Sequence, residues 1–139
     1  MKNILCTAAG VAGSFIASLF GGWDTGIGTV MLFMVIDFLS GLAVAGVFKN
    51  RTKTESGTLE SKASWKGLCR RCMTLLFVLV AHRLDLAIGT NYIRDTVVIG
   101  FIANELISIV ENAGLMGLPP PAVLIKAIDV LKNKAEVTE

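Results

Sequence analysis

Apolar residues run without a charge from Ile4 to Gly22, and again, broken only by Asp37, from Gly26 to Phe48. A helix needs about 20 largely apolar residues to cross the hydrocarbon layer, and both runs have that length. Two further runs are less clean. Met73 to Gly89 carries His82, Arg83 and Asp85, and Thr96 to Leu115 carries Glu105 and Glu111. The pattern predicts an all-α integral membrane protein: a single membrane domain over 1–139 with four transmembrane helices near 4–22, 26–48, 73–89 and 96–115. The last two carry polar groups that need partner helices or a wet cavity. A secretory signal fits the first run poorly, because that run is longer than the usual ~7–15-residue signal core.

Basic residues set the direction of the chain. The stretch 49–72 holds Lys49, Arg51, Lys53, Lys62, Lys66, Arg70 and Arg71 against Glu55 and Glu60, and reads as a cytoplasmic loop. Lys2 at one end and Lys126, Lys132 and Lys134 in the tail, 118–139, then also fall inside, giving both termini cytoplasmic. Arg94 is the one basic exception. A three-span arrangement would leave one terminus outside. After Pro119, Pro120 and Pro121, the residues Val123, Leu124, Ala127, Ile128, Val130 and Leu131 share one face of a predicted C-terminal amphipathic helix. That helix either lies on the inner membrane surface or packs on the protein itself.

Composition agrees with the pattern: 53% of residues are hydrophobic and 17% charged, against about 25% charged in soluble domains. Little in the chain suggests an enzyme. The lone histidine, His82, lies inside a span, so no nucleophile–base–orienter set can be assembled. Cys69 and Cys72 are spaced as C-x-x-C, but a zinc site wants two more ligands and a redox motif wants a thioredoxin-like context. Gly26-Ile27-Gly28 is too short for a nucleotide loop. No catalytic residue, cofactor or metal is expected. The basic stretch is explained by orientation and anionic lipid, without nucleic acid.

Two features inside the spans ask for a role. In the first helix, Gly10, Ser14, Ser18 and Gly22 form one row of small residues and Gly13, Ala17 and Gly21 another, with a weaker pair, Gly41 and Ala45, in the second. Such rows let helices approach closely, within one chain or between chains. In the fourth helix, Asn104, Glu105, Ser108, Glu111 and Asn112 fall in an arc of about 120°. Asp37, Arg83 and Glu105 also sit at similar depth, with Asp85 two residues beyond Arg83. One reading is a static buried pair, Arg83 with one carboxylate. The other is a polar surface hidden in one assembly and lining water in another, with these eight residues as the intramembrane polar, pore-lining set.

The succession Asp37-Phe38-Leu39-Ser40-Gly41, Ser64-Trp65-Lys66-Gly67-Leu68, Leu84-Asp85, Ile102-Ala103-Asn104-Glu105, Ser108-Ile109-Val110-Glu111-Asn112 and Gly117-Leu118-Pro119 with Pro121 resembles the phage lysis holin family, which includes clostridial toxin-secretion holins. The resemblance spans Gly26 to Lys134, and the first span carries no matching motif. It implies a non-enzymatic protein that gathers in the bacterial cytoplasmic membrane as a large homo-oligomer. There it opens holes that release an endolysin for host-cell lysis, or a toxin. Its implied partners are other copies of itself, membrane lipids and the released endolysin. The rival readings are a small ion channel or transporter subunit, and an antiholin or membrane scaffold.

Overall fold

The computed structural model describes residues 1–46 and 57–136. All regular structure among them is helical: α1 (Lys2–Leu19), α2 (Thr25–Gly46), α3 (Gly57–Ile88), α4 (Ile93–Leu115) and α5 (Ala122–Glu136). Each predicted helix is present, with one large change of boundary. Residues 57–72, expected as loop, continue the third helix toward its N-terminus without a break, while 49–56 lie outside the described residues. The segment is rich in residues that tolerate a helix well, among them Leu59, Glu60, Lys62, Ala63, Lys66 and Arg70. At 32 residues α3 is about 48 Å long, more than the ~30 Å hydrocarbon layer. By length and composition, two of the described helices, α1 and α2, qualify as membrane spans.

Cross-helix contacts fix the topology of α2, α3 and α4. Asp24 meets Arg94 and Asp37 meets Ser108, so α2 and α4 run in the same direction. Arg71 meets Asp37, Phe77 stacks on Phe101 at 6.3 Å, and Asp85 meets Arg94, so α3 runs against both. One half of this bundle is apolar. Ile27, Val30 and Met34 of α2 pack with Val78 of α3 and Val98 of α4, flanked by Leu75, Val97, Phe101 and Ile102. The buried positions of α2 recur at Ile27, Val30, Met34 and Val44, the spacing of a seam between nearly aligned helices. Gly26 lets α4 come close, since a Cβ there would stand 3.1 Å from Val98.

α1 packs lightly against α3 and has no buried residue. A Cβ at Gly10 or Gly13 would meet nothing within 4 Å, so those two glycines of the small-residue rows face no helix of the same chain. Gly21 belongs to the α1–α2 turn: it lies beyond the end of α1 at φ +86°, a backbone region glycine enters without steric cost. A Cβ at Gly21 would press on Arg94 Nε at 2.8 Å and His82 Nδ1 at 2.9 Å.

α5 folds back on α4. Ile128 is buried and Ala127 and Leu131 are half-buried, whereas Val123 and Val130 of the same apolar face stay exposed. Of the two expectations for this helix, packing on the protein is what the structure places, using part of the face.

Candidate functional site: a polar seam between three helices

Beyond the apolar half of the bundle, the same three helices meet through polar side chains. Asp37 of α2 is the hub. Its carboxylate accepts hydrogen bonds from Ser108 Oγ at 2.6 Å and Asn112 Nδ2 at 3.1 Å, and pairs with Arg71 of α3. Asn112 Nδ2 also approaches Ser40 Oγ at 2.8 Å. The Arg71 guanidinium lies 5.4 Å from the Phe38 ring centroid. Gly67, one turn earlier on α3, leaves room for that guanidinium: a Cβ there would stand 3.1 Å from Arg71 Nη1. An ionised carboxylate in a low-dielectric interface needs such partners, because an unpaired one is strongly disfavoured.

A cavity of about 460 Å³ opens beside this hub, lined by α2, α3 and α4. Glu105 reaches it from α4 and is 7% exposed. Its Oε2 and the Nε of Arg71 are both buried without a hydrogen-bond partner among the described residues. Lys66 and Arg70 of α3 line the same cavity and are exposed, so it runs from a cationic mouth to a buried carboxylate.

The predicted polar set divides accordingly. Asp37, Asn104, Glu105, Ser108 and Asn112 come together around the cavity, along with Gly41 and Ala45 of α2. Glu111 is exposed and lies outside the cavity lining. Arg83 is exposed as well, and the expected pairing of Arg83 with a midplane carboxylate is corrected: the cation on Asp37 is Arg71. The reason is register. The extended α3 runs antiparallel to α2, so the residue that reaches Asp37 lies more than three turns before Arg83.

Asp85 has a different task from the seam. It is 5% exposed and accepts from the amides of Ile93 at 3.0 Å and Arg94 at 2.8 Å, and from Thr90 Oγ1 at 2.6 Å. The first-turn amides of a helix have no partner within it, and a carboxylate both satisfies them and complements the helix dipole. Asp85 therefore caps α4 from the end of α3.

A second polar cluster, absent from the predicted set, closes the opposite end of the bundle. Arg94 is buried and donates to Asp24 at 2.8 Å, Asp95 at 3.0 Å and the carbonyl of Phe20. It thereby ties the α1–α2 turn to the start of α4. The hydrogen bond from Arg94 holds the Asp24 carboxyl below the usual carboxylate range, against an opposing push from burial. The same bond raises Arg94 above the usual arginine range.

Comparison with known proteins adds the lineage. The model of the bacteriophage holin family matches residues 14–133, from within α1 to within α5. An uncharacterized protein of Listeria monocytogenes is 37% identical over 124 residues, which cover 88% of this chain and 83% of the relative. An uncharacterized protein of Halalkalibacterium halodurans is 35% identical over 96% of this chain and 97% of its own length. A probable holin of Bacillus phage phi105 is 30% identical over 75% of this chain and 72% of its own length. No solved structure matches. With a family match that takes in the polar seam, the Arg94 cluster and all five helices at least in part, the chain belongs to the bacteriophage holin family.

Proposed function

We propose that this protein is a lysis holin: it crosses the bacterial cytoplasmic membrane four times with both ends inside, gathers into a large homo-oligomer, and opens lesions through which a folded endolysin, or a toxin, leaves the cell. The observation that carries the reading is the polar seam. Asp37, Arg71, Glu105, Ser108 and Asn112 are sequestered between helices whose outer surfaces are apolar, Phe38, Leu39, Leu76 and Phe77 among them. Such a surface, like the exposed Arg83 and Glu111 on the outer side of α3 and α4, is tolerated in a membrane only when it is covered by protein or faces water. Within one chain it is covered. When chains gather and the helices part, the same surface becomes the wet wall of a lesion, with α4 as the main contributor. The exposed face of α1, with Gly10, Gly13, Ser14 and Ser18, supplies a surface for close helix association between chains, while Ala17 is half-buried within the chain.

The experiment is inducible expression in a bacterium with and without a co-expressed endolysin that has no export route of its own. A holin abruptly abolishes membrane potential at a set time in both strains and lyses only the strain with endolysin. Harmless accumulation in the membrane would overturn the reading and point to an antiholin or scaffold. Glu105→Leu removes polar lining and is expected to delay or abolish lysis while the protein still inserts; unchanged timing would remove Glu105 from the mechanism.

A further inference from the structure

The cavity beside Asp37 has a cationic mouth that lesion formation does not use. It presents three cations of α3, Lys66, Arg70 and Arg71, and two carboxylates, Asp37 and Glu105, of which Asp37 is paired with Arg71. Neither Lys66 nor Arg70 forms an ion pair with a described residue. Two atoms of opposite character are left over: Arg71 Nε, a donor, and Glu105 Oε2, an acceptor. Both belong to side chains that line the cavity. The last torsion of Glu105 is broad for this residue type, so its carboxylate can turn toward a donor in the cavity. Beyond Asp37 the α2 wall is apolar, and Phe38 and Leu42 carry it outward to the exposed surface of the bundle at 39% and 46% exposure. The volume of about 460 Å³ falls in the range of small-molecule sites, ~300–1,000 Å³.

From this we infer that the cavity is a binding site for a phospholipid head group of the inner leaflet, of the kind that joins a phosphodiester to a terminal hydroxyl, as in phosphatidylglycerol. The phosphodiester accepts from Lys66 and Arg70, the exposed cations of the lining. The glycerol hydroxyl donates to Glu105 Oε2. The acyl chains leave along Phe38 and Leu42. Basic pockets between membrane helices on the cytoplasmic side take anionic head groups by the same physics. The inference rests on the proposed placement of α2–α4 across the bilayer with Lys66 and Arg70 on the inner side. It is independent of lesion formation.

The test uses the full-length chain in phosphatidylcholine vesicles, with Trp23→Phe leaving Trp65, next to Lys66 in sequence, as the reporter. Test lipids carry brominated acyl chains, and quenching of Trp65 gives relative association constants. Each Lys or Arg against an anionic lipid is worth about a fivefold gain, so Lys66 and Arg70 together should favour any anionic phosphodiester lipid over phosphatidylcholine by about 25-fold. That charge-dependent factor should be lost in Lys66→Gln/Arg70→Gln and persist in Lys126→Gln/Lys132→Gln, which removes the same charge from α5. Phosphatidylmethanol, a phosphodiester without a head-group hydroxyl, should bind about tenfold more weakly than phosphatidylglycerol, and that gap should close in Glu105→Leu. Equal quenching by phosphatidylglycerol and phosphatidylcholine would overturn the site and mean that water closes the Arg71–Glu105 gap. Stronger quenching by phosphatidylethanolamine than by phosphatidylglycerol would overturn the hydroxyl assignment. The ranking of head groups on the unmutated cavity decides the question even if a variant fails to fold. Because the assay reads lipid contact and not lysis, a negative result here leaves the holin reading standing, and the converse also holds.

Discussion

Arg71→Met is the sharpest perturbation of the seam. It keeps most of the unbranched stem beside Phe38 and removes the guanidinium from Asp37. The lost contact is a charge-assisted hydrogen bond, worth about 1.5–3 kcal/mol. The cation–π contact with Phe38 adds about 0.5–1 kcal/mol. Breaking a fully buried pair costs about 3–5 kcal/mol, but these side chains are 20% and 13% exposed, which pulls the expectation down. A loss of about 2–3 kcal/mol follows. Asp37 keeps Ser108 and Asn112 as donors, so the pair should be isolated with a cycle: Arg71→Met, Asp37→Leu and the double variant. A coupling of about 2 kcal/mol is expected, within the range seen for residues in direct contact. Equilibrium unfolding in mixed micelles, followed by helical circular dichroism, measures it. Additivity to within ~0.5 kcal/mol would refute the claim that Arg71, and not another cation, holds Asp37 in place. The same variant has a kinetic signature in cells. If the seam must part before a lesion forms, weakening it brings lysis forward at unchanged membrane abundance, whereas simple misfolding delays lysis.

Two other perturbations probe the ends of the bundle. Asp85→Ala strips the cap from α4 and should cost about 1–2 kcal/mol in the same unfolding assay, with faster hydrogen exchange at the amides of Ile93 and Arg94; unaltered exchange there would deny the capping role. For Asp24, the folded carboxyl titrates below its ordinary 3.8, so the Asp24–Arg94 tie is fully present above that pH and is lost as pH falls through the depressed value. An NMR titration should place the Asp24 midpoint below 3.8 and move it back up toward 3.8 in Arg94→Gln; a midpoint that ignores the substitution would contradict the pairing.

Helix existence was legible for α1 and α2 from long apolar runs, for α3 and α4 from shorter runs broken by charges, and for α5 from its 3.6-residue apolar period. The polar stripe of α4 was legible too, since the spacing of Glu105, Ser108 and Asn112 places them on one face whatever the tertiary fold. What a charge in the stripe pairs with was not legible. Pairing Arg83 with a midplane carboxylate by depth assumes that α3 begins at the membrane, and nothing local to Arg71 marks it as the residue that crosses to α2. Gly67 is the faint signal, a residue without a side chain one turn away, where a bulky guanidinium folds back. Asp85 was misplaced for a related reason: a carboxylate four residues before a glycine turn serves the following helix as readily as a cavity, and periodicity does not separate the two. Asp24 and Arg94 could have been paired from sequence. They sit in the two turns expected on the same outer side, and each is a charge flanking an apolar run.

The size of the opening tests the central claim most directly. Cells expressing the chain with a folded cytoplasmic enzyme several nanometres across, and no endolysin, should be followed for membrane potential and for enzyme activity in the periplasm or wall space. The account predicts that both change together, in one abrupt step, and that Glu105→Leu delays or abolishes both. Loss of potential with the enzyme retained inside would contradict it, and would make the polar seam the lining of an ion channel.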